Sequence, residues 1–292
     1  MERKHHSERK RRRKGRSIYG ERRVIDELPH VRYLHFGDCI GEGHFSHVYE
    51  GTYHSDTDVA IKVIERGSEK LVSTEIDILQ TLRGSPHVVQ LLEVIEKDTT
   101  LLVFELLKGI DIENVWEHFT VDRIRFLVKC ILEALDAAHS NNIVHRDVKL
   151  ANILISPHFS NVTLIDWGCG TYVSEVMSTK AGSRSCRPPE MLLGYHQYGT
   201  GCDIWAVGAL IFYILTYGQL PWKAKTAESA LIKMSEFFPQ KAFRKIAREL
   251  DLPMYDEIKE DFFDEPSRKL EDCFYESLAD LCDPDLIDLM KY

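Results

Sequence analysis

The stretch IVHRDVKLANILI (143–155), followed closely by LIDWGCG (164–170), decides how this chain is read. In the first run His145, Arg146, Asp147, Lys149 and Asn152 lie between apolar, strand-like ends. An acid, a base and an amide crowded into one short loop make a poor structural turn. Taken alone, Asp166 in the second run is only a turn residue beside a tryptophan, because Asp and Gly mark turns everywhere. The spacing Asp147, Lys149, Asn152, Asp166 changes that. It supplies the parts that phosphoryl transfer needs: a carboxylate to take the proton of an acceptor hydroxyl, a cation by the γ-phosphate, and oxygen ligands for Mg²⁺.

Upstream, IGEGHFSHVYEG (40–51) carries Gly41 and Gly43, which let a hairpin approach phosphates closely. Ser46 stands where a third glycine is usual, and Val48 follows. VAIK (59–62) comes at hairpin distance. Val59, Ile61 and Val63 alternate with Ala60, Lys62 and Ile64, so Lys62 shares a face with apolar residues. An inward lysine needs a partner. Glu75 is the natural one, 13 residues on in KLVSTEIDILQTLRG, where Leu71, Ile76, Leu79 and Leu82 recur at helical spacing and Gly84 stops the helix. Downstream come RPPE (187–190) and DIWAVG (203–208).

The organisation fits this constellation. From Tyr33 to about Phe104 short apolar runs favour strands, with the one helix between them. From about Asp111 onward the pattern is mostly helical, and 120–140 places Ile124, Leu127, Val128, Ile131, Leu132, Leu135 and Ala138 on one broad face. A small strand-rich part (24–105) thus precedes a larger helical part (106–292), joined at LLVFELLKG. The seven cysteines are scattered, and no Cys-x-x-Cys occurs, which argues for a reducing compartment and against a zinc site. There is no apolar signal core at the N-terminus, and the longest apolar run, Ile204 to Leu215, is too short to span a bilayer. Residues 1–23 carry 11 Lys/Arg against 3 Asp/Glu, while the whole chain has a net charge of −9. RKRRRKGR (9–16) reads as a disordered tail suited to nuclear import or to an acidic partner surface, so nucleus and cytoplasm are the expected location. The acidic body argues against nucleic acid as the main partner.

These motifs together resemble the eukaryotic protein kinases over roughly residues 33–292. Within that superfamily the chain is most similar to the casein kinase II catalytic subunit. LRGSPHVVQLLEVI, ILEALDAAHSNNIVHRDVK, the tryptophan of LIDWG, GSRSCRPPE and SRKLEDCFYESL (267–278) carry that likeness. The resemblance implies an α+β bilobal fold: a small antiparallel sheet with one key helix above a larger helical lobe. It implies Asp147 as catalytic base and Lys149 as the neutraliser of the γ-phosphate, with Asn152 and Asp166 on Mg²⁺. ATP would meet Ile40, Gly41, Gly43 and Val48 from above. Lys62, paired with Glu75, would hold its phosphates. Ala60, Phe104, Glu105, Leu107 and Leu154 would surround its base, with Phe104 as gatekeeper and Glu105 to Leu107 as hinge. Asp203 would brace the catalytic loop through backbone N–H groups. The ring and N–H of Trp167 would hold the segment after Asp166 in an active arrangement.

Lys180, Arg184 and Arg187 fall where casein kinase II places basic residues that receive an acidic residue next to the acceptor. The alternative for Arg187 is that it binds only backbone, or a phosphate, in this loop. The second basic cluster of that family is reduced here to Lys70 in ERGSEKLVSTE, so the demand for distal acids should be weaker. Ala60 is the ordinary kinase residue where casein kinase II has a larger one, which argues against dual ATP/GTP use. Ser178, Thr179, Ser183 and Ser185 are candidate phosphorylation sites with Arg146 as receiver, whereas the casein kinase II likeness implies activity without them. Kinases continue with a further helix whose arginine pairs with the glutamate at Glu190. The sequence given stops at PDLIDLMKY without one, so Glu190 is expected to need another partner. Three readings stay open: an acid-directed Ser/Thr kinase of the casein kinase II type, with a beta-type regulatory subunit as implied partner; a kinase of the replication-origin cell-division-control type; and a non-catalytic scaffold.

Overall fold

The computed structural model describes residues 28–43, 46–54, 56–64, 69–97, 99–110, 116, 118–252, 256 and 262–273. The basic tail, residues 65–68 of the ERGSEK stretch and the C-terminal residues 274–292, with the helix expected to be wanting there, lie outside that set.

Five strands open the described chain: β1 (Leu34–Glu42), β2 (Ser46–Tyr53), β3 (Thr57–Ile64), then after helix α1 (Glu69–Thr81) β4 (Leu91–Glu96) and β5 (Thr100–Glu105). They form one antiparallel sheet in the order β1-β2-β3-β5-β4. The alternation in β3 sorts its side chains as expected. Val59, Ile61 and Val63 are fully buried on one face with Val31, Leu34, Leu101 and Val103. Ala60, Lys62 and Ile64 take the other face, where Ile64 packs with Val72, Ile78 and Leu79 of α1.

The stripe of α1 differs from the expected one. Leu71 is 57% exposed, and the buried line runs through Val72, Glu75, Ile78, Leu79 and Leu82. The helix is therefore turned by about one residue, and Glu75 lies on the buried line. The reason is the lysine opposite: a buried Lys62 costs too much without a carboxylate on the facing helix.

Below the sheet come α2 (Val121–His139), β6 (Ile143–Val144), β7 (Ile153–Ile155), β8 (Val162–Leu164), β9 (Thr171–Tyr172), α3 (Pro189–Leu192), α4 (Gly201–Leu215), α5 (Ala227–Met234) and α6 (Gln240–Glu249). Thr120 caps α2, its hydroxyl accepting from the Arg123 N–H (3.3 Å). The helix buries Ile124, Leu127, Val128, Ile131, Leu135 and Ala138, as its spacing predicts. The apolar run of α4 is a core helix, with Ala206, Val207, Leu210, Ile211 and Ile214 all buried. No described helix is long and apolar enough to cross a membrane.

Two short strand pairs place the chemistry. β7 pairs with β8, and β6 with β9. Residues 145–152 are thus strung between β6 and β7, while Asp166 is strung between β8 and β9. The two key loops must lie side by side.

Gly51, in the middle of β2, has no room for a side chain: a Cβ there would lie 2.3 Å from the His35 carbonyl oxygen and 2.6 Å from Ile61 Cδ1. Gly51→Ala should destabilise the sheet by about 1–3 kcal/mol, as overpacking does. Thermal denaturation should show a melting temperature at least about 2 °C lower. An unchanged melting point would mean that β1 and β2 separate freely.

Candidate active site

Lys62 reaches across the cleft from β3. Its Nζ donates to Glu75 Oε1 at 2.6 Å and to Asp166 Oδ1 at 3.2 Å. Burial alone would lower Lys62, but the two carboxylates outweigh it and hold the ammonium above its ordinary value. Burial would raise Asp166. The Lys62 charge and hydrogen bond, with His145 and the Gly168 N–H, overcome that and hold the carboxyl below its ordinary value. Asp166 has a left-handed backbone (φ 58°), uncommon for a non-glycine and frequent at functional sites. Gly168 completes the set, since a Cβ there would lie 3.3 Å from Lys62 Nζ, Glu75 Oε2 and Asp166 Oδ1 alike. A side chain would be wedged among three charged groups.

The second cluster centres on Asp147. Its Oδ2 accepts from Lys149 Nζ (2.7 Å) and Asn152 Nδ2 (3.0 Å), and its Oδ1 accepts from the Ser183 backbone N–H (2.8 Å). Lys149 Nζ also donates to Ser183 Oγ at 3.1 Å. Ser183, expected only as a phosphorylation candidate, therefore belongs to the site. The signal was available in the preceding residue. Gly182 has φ +65°, and a Cβ on it would lie 2.0 Å from the Arg146 carbonyl oxygen. Only glycine lets the segment press onto the catalytic loop this closely.

Asp203 anchors that loop from α4. It is fully buried, and its carboxylate accepts from the backbone N–H groups of His145 and Arg146, both at 2.8 Å. His145 accepts at Nδ1 from the Asp147 N–H (3.2 Å), so it is the Nε2 proton that faces the Ile165 carbonyl at 3.1 Å. His145 thereby ties the Asp147 loop to the Asp166 segment. The Ile165 N–H, donating to the Asn152 carbonyl at 2.9 Å, ties them again.

The cleft above is closed by the sheet. In register, Val48 lies opposite Lys62 and Ala60 opposite Phe104. Gly41 pairs with Val48, and Ile40 beside it is 51% exposed. Gly43 donates its N–H to the Ser46 carbonyl (2.7 Å). Glu105 turns its carboxylate away, accepting from the Gln90 N–H at 3.2 Å, which leaves backbone rather than charge at the hinge. Past Leu107, Gly109 sits over Leu154 and the Ile110 N–H bonds to the Ile155 carbonyl, so Leu154 lies beneath the hinge end.

A profile of the protein kinase domain matches residues 34–290, and the chain is 30% identical over 260 residues to casein kinase II subunit alpha' of Saccharomyces cerevisiae, covering 86% of this chain and 76% of that one. The chain is a protein kinase. Membership brings ATP and Mg²⁺ as the general reagents of the family, and the donor set suits them. Asn152 spends its amide nitrogen on Asp147, which leaves its oxygen as a ligand atom, and Asp166 has a half-exposed carboxylate. One carboxylate and one amide, completed by phosphates and water, is what Mg²⁺ takes.

The kinase departs from expectation around its activation segment. Burial, with Arg184 close by, presses the Arg187 guanidinium down from its ordinary value, but both arginines spend donors on backbone. Arg187 donates to the carbonyls of Lys180, Ala181 and Gly182 (2.7–2.9 Å), so its guanidinium braces the loop's own backbone. Arg184 donates to the carbonyls of Ala224 and Lys225. Lys180 is exposed. Arg146 is likewise engaged, donating to the carbonyls of Cys169 (2.6 Å) and Gly170 and to the Tyr198 hydroxyl (3.2 Å), which itself donates to the Ser178 carbonyl. Burial pushes the Glu190 carboxyl up, and no ion pair reaches it from the described residues.

Trp167 is buried with its ring edge-on to His145 (4.7 Å), yet its indole N–H meets no acceptor among the described residues. The ring holds the segment, and the donor does not. Trp167→Phe should therefore keep phosphotransfer within about threefold. Removing an unpartnered buried donor recovers about 1–3 kcal/mol, which offsets the packing lost with the smaller ring. Activity and melting temperature together check this. A collapse of activity in a folded variant would restore a role for the N–H.

Proposed function

We propose that this kinase transfers the γ-phosphoryl group of ATP to serine or threonine in acidic sequence contexts, in the manner of casein kinase II. The observation that carries the reading is the completed charge assembly. Lys62 is on Glu75 and Asp166, and Asp147 is held by Lys149, Asn152 and the Ser183 N–H. A scaffold has no need to keep so many charged groups in one cleft. Asp147 receives the proton of the incoming hydroxyl, and Lys149 lies beside it to balance the charge that develops on the transferred group. Lys62 orients the phosphates. Asn152 and Asp166 would hold Mg²⁺, which would supply charge neutralisation for the transferred group. Ile40, Gly41, Gly43, Val48, Ala60, Phe104, Leu107 and Leu154 enclose the nucleotide, and Glu105 and Leu107 offer backbone to its base.

Acid selection rests on the positive charge of Lys180, Arg184 and Arg187 as a field rather than as a fitted pocket, since two of the three spend donors on backbone. The hold of Arg146 on Tyr198 and two carbonyls supports activity without phosphorylation of the segment. The relative's name marks it as a subunit, which supports a beta-type regulatory partner here, and the basic run at 9–16 supports nuclear as well as cytoplasmic residence.

Two serine peptides test this, one with an acidic and one with a basic residue immediately after the serine, each with Mg²⁺-ATP and with Asp166→Asn as control. The acidic peptide should be preferred by about three- to tenfold, the scale of one exposed charge attraction gained and one repulsion avoided, and the control should lose turnover. Preference for the basic peptide would overturn the substrate assignment.

A further inference from the structure

Helix α6, QKAFRKIARE, splits into two unlike faces. Phe243 and Ala247 are buried, with Ile246 packed beside them, in the core cluster that also holds Phe212, Trp222 and Phe237. Lys241, Arg244, Lys245 and Arg248 are all exposed, and by the helical period they form one stripe on the opposite side. The helix packs against α3, which starts two residues after Arg187. The stripe therefore stands beyond the end of the activation segment, with α3 between them.

A helix face that only meets water is ordinarily balanced in charge. α2 shows this: Arg125 lies 4.0 Å from Asp122, and Lys129 lies 3.8 Å from Glu133. α6 does the reverse. Its four cations stand at i,i+3 and i,i+4 from one another, spacings at which like charges repel. Lys241 sits in the first turn, where the helix dipole favours an acid, and no acid stands there. Among the described residues the stripe has one ion pair, Lys245 to Glu249 at 3.9 Å, with both side chains largely exposed. Arg244 donates to the neutral Gln240 (2.7 Å). Glu236, shortly before the helix, is taken by Arg268 at 3.4 Å. The whole chain carries a net charge of −9, so general basicity does not account for the stripe. The repulsion weakens the helix and is relieved when a polyanion lies along it.

We propose that the outer face of α6 is a docking surface for an acidic tract of the protein substrate, remote from the residues that flank the phosphorylated Ser/Thr. The proposal rests on the acid-directed kinase reading above and deepens it. Charge complementarity names the occupant: four cations in line match a run of acidic side chains. The stripe holds no aromatic ring on which a base could stack, and the acidic body repels a nucleic acid, so a polypeptide is the partner. Helices pack about 10 Å apart, and an extended chain advances about 3.3 Å per residue. With α3 intervening, the tract lies on the order of six to ten residues from the acceptor.

The test uses the full chain, Mg²⁺-ATP and one acidic serine peptide, extended on either side through a flexible spacer of about eight residues by a run of Glu or a run of Gln. On at least one side the Glu extension should lower KM by about five- to thirtyfold with kcat unchanged, as four exposed charge contacts of about 1.5- to 2.3-fold each would. The Glu/Gln difference should vanish as salt rises from about 0.05 M to about 0.5 M. Replacing Lys241, Arg244, Lys245 and Arg248 together by Gln should abolish the difference and leave turnover of the Gln-extended peptide unchanged. Exchanging Lys for Arg and Arg for Lys at the same four positions should preserve it. If the fourfold Gln variant does not fold, each single Gln variant should lose about 1.5- to 2.3-fold of the gain. A labelled poly-Glu peptide without serine, followed by fluorescence anisotropy, should be displaced more readily by unlabelled poly-Glu than by single-stranded DNA of equal charge. Equal KM for the two extensions, or a gain that survives in the Gln variants, would overturn the docking surface and leave the kinase reading intact. Stronger displacement by DNA would overturn the polypeptide assignment. Silence on every peptide would overturn the kinase reading, and poly-Glu that then fails to bind would overturn the surface as well.

Discussion

Asp203 is a carboxylate with no exposure to solvent, and the catalytic loop is built around it. Burying a carboxylate is costly unless strong donors surround it. The donors are the backbone N–H groups of His145 and Arg146, at 2.8 Å each, with His139 Nε2 3.0 Å away. Two successive N–H groups pointing at one carboxylate require an unusual backbone, and Arg146 supplies it with φ +66°. That turn throws Asp147 toward the cleft. The buried helix α4, through one side chain, thus fixes the direction of the group on which the chemistry depends.

From that anchor the site is assembled by contacts that each commit two elements. His145 ties the loop to the strand before Asp166. Asp166 meets Lys62, and Lys62 meets Glu75, so the helical lobe, the sheet and α1 share one chain of charge. Gly182 lets the activation segment close on the loop, and the Ser183 N–H then reaches Asp147 from the far side. Each step demands a residue of defined size or charge. The catalytic carboxylate ends with donors on both oxygens and its geometry fixed.

Much of this was legible in the sequence, for a physical reason. Polar residues stranded between apolar runs, at Asp147, Asn152 and Asp166, have no structural purpose and so announce chemistry. The lysine on the apolar side of β3 demanded a carboxylate, and Glu75 answered it. Other features were hidden. Leu71 read as a core residue because several stripes fit a short amphipathic helix, and only the partner across the interface selects one. Arg184 and Arg146 bind backbone carbonyls, acceptors that every residue carries and that composition cannot reveal; for Arg187 the backbone was already the alternative reading. The indole N–H of Trp167 read as a useful donor because donor chemistry is visible in sequence and the absence of an acceptor is not.

The account stands on Asp147 as the group that accepts the hydroxyl proton. Single-turnover phosphotransfer to an acidic serine peptide, with Mg²⁺-ATP binding measured on the same preparation, tests it directly by comparison of the wild type with Asp147→Asn. The amide keeps the shape and most of the hydrogen bonds but cannot take the proton. The account predicts nucleotide binding within a few-fold and a transfer rate lower by about 10²–10⁴, the usual worth of a general base. A variant that transfers phosphate at the wild-type rate would contradict it.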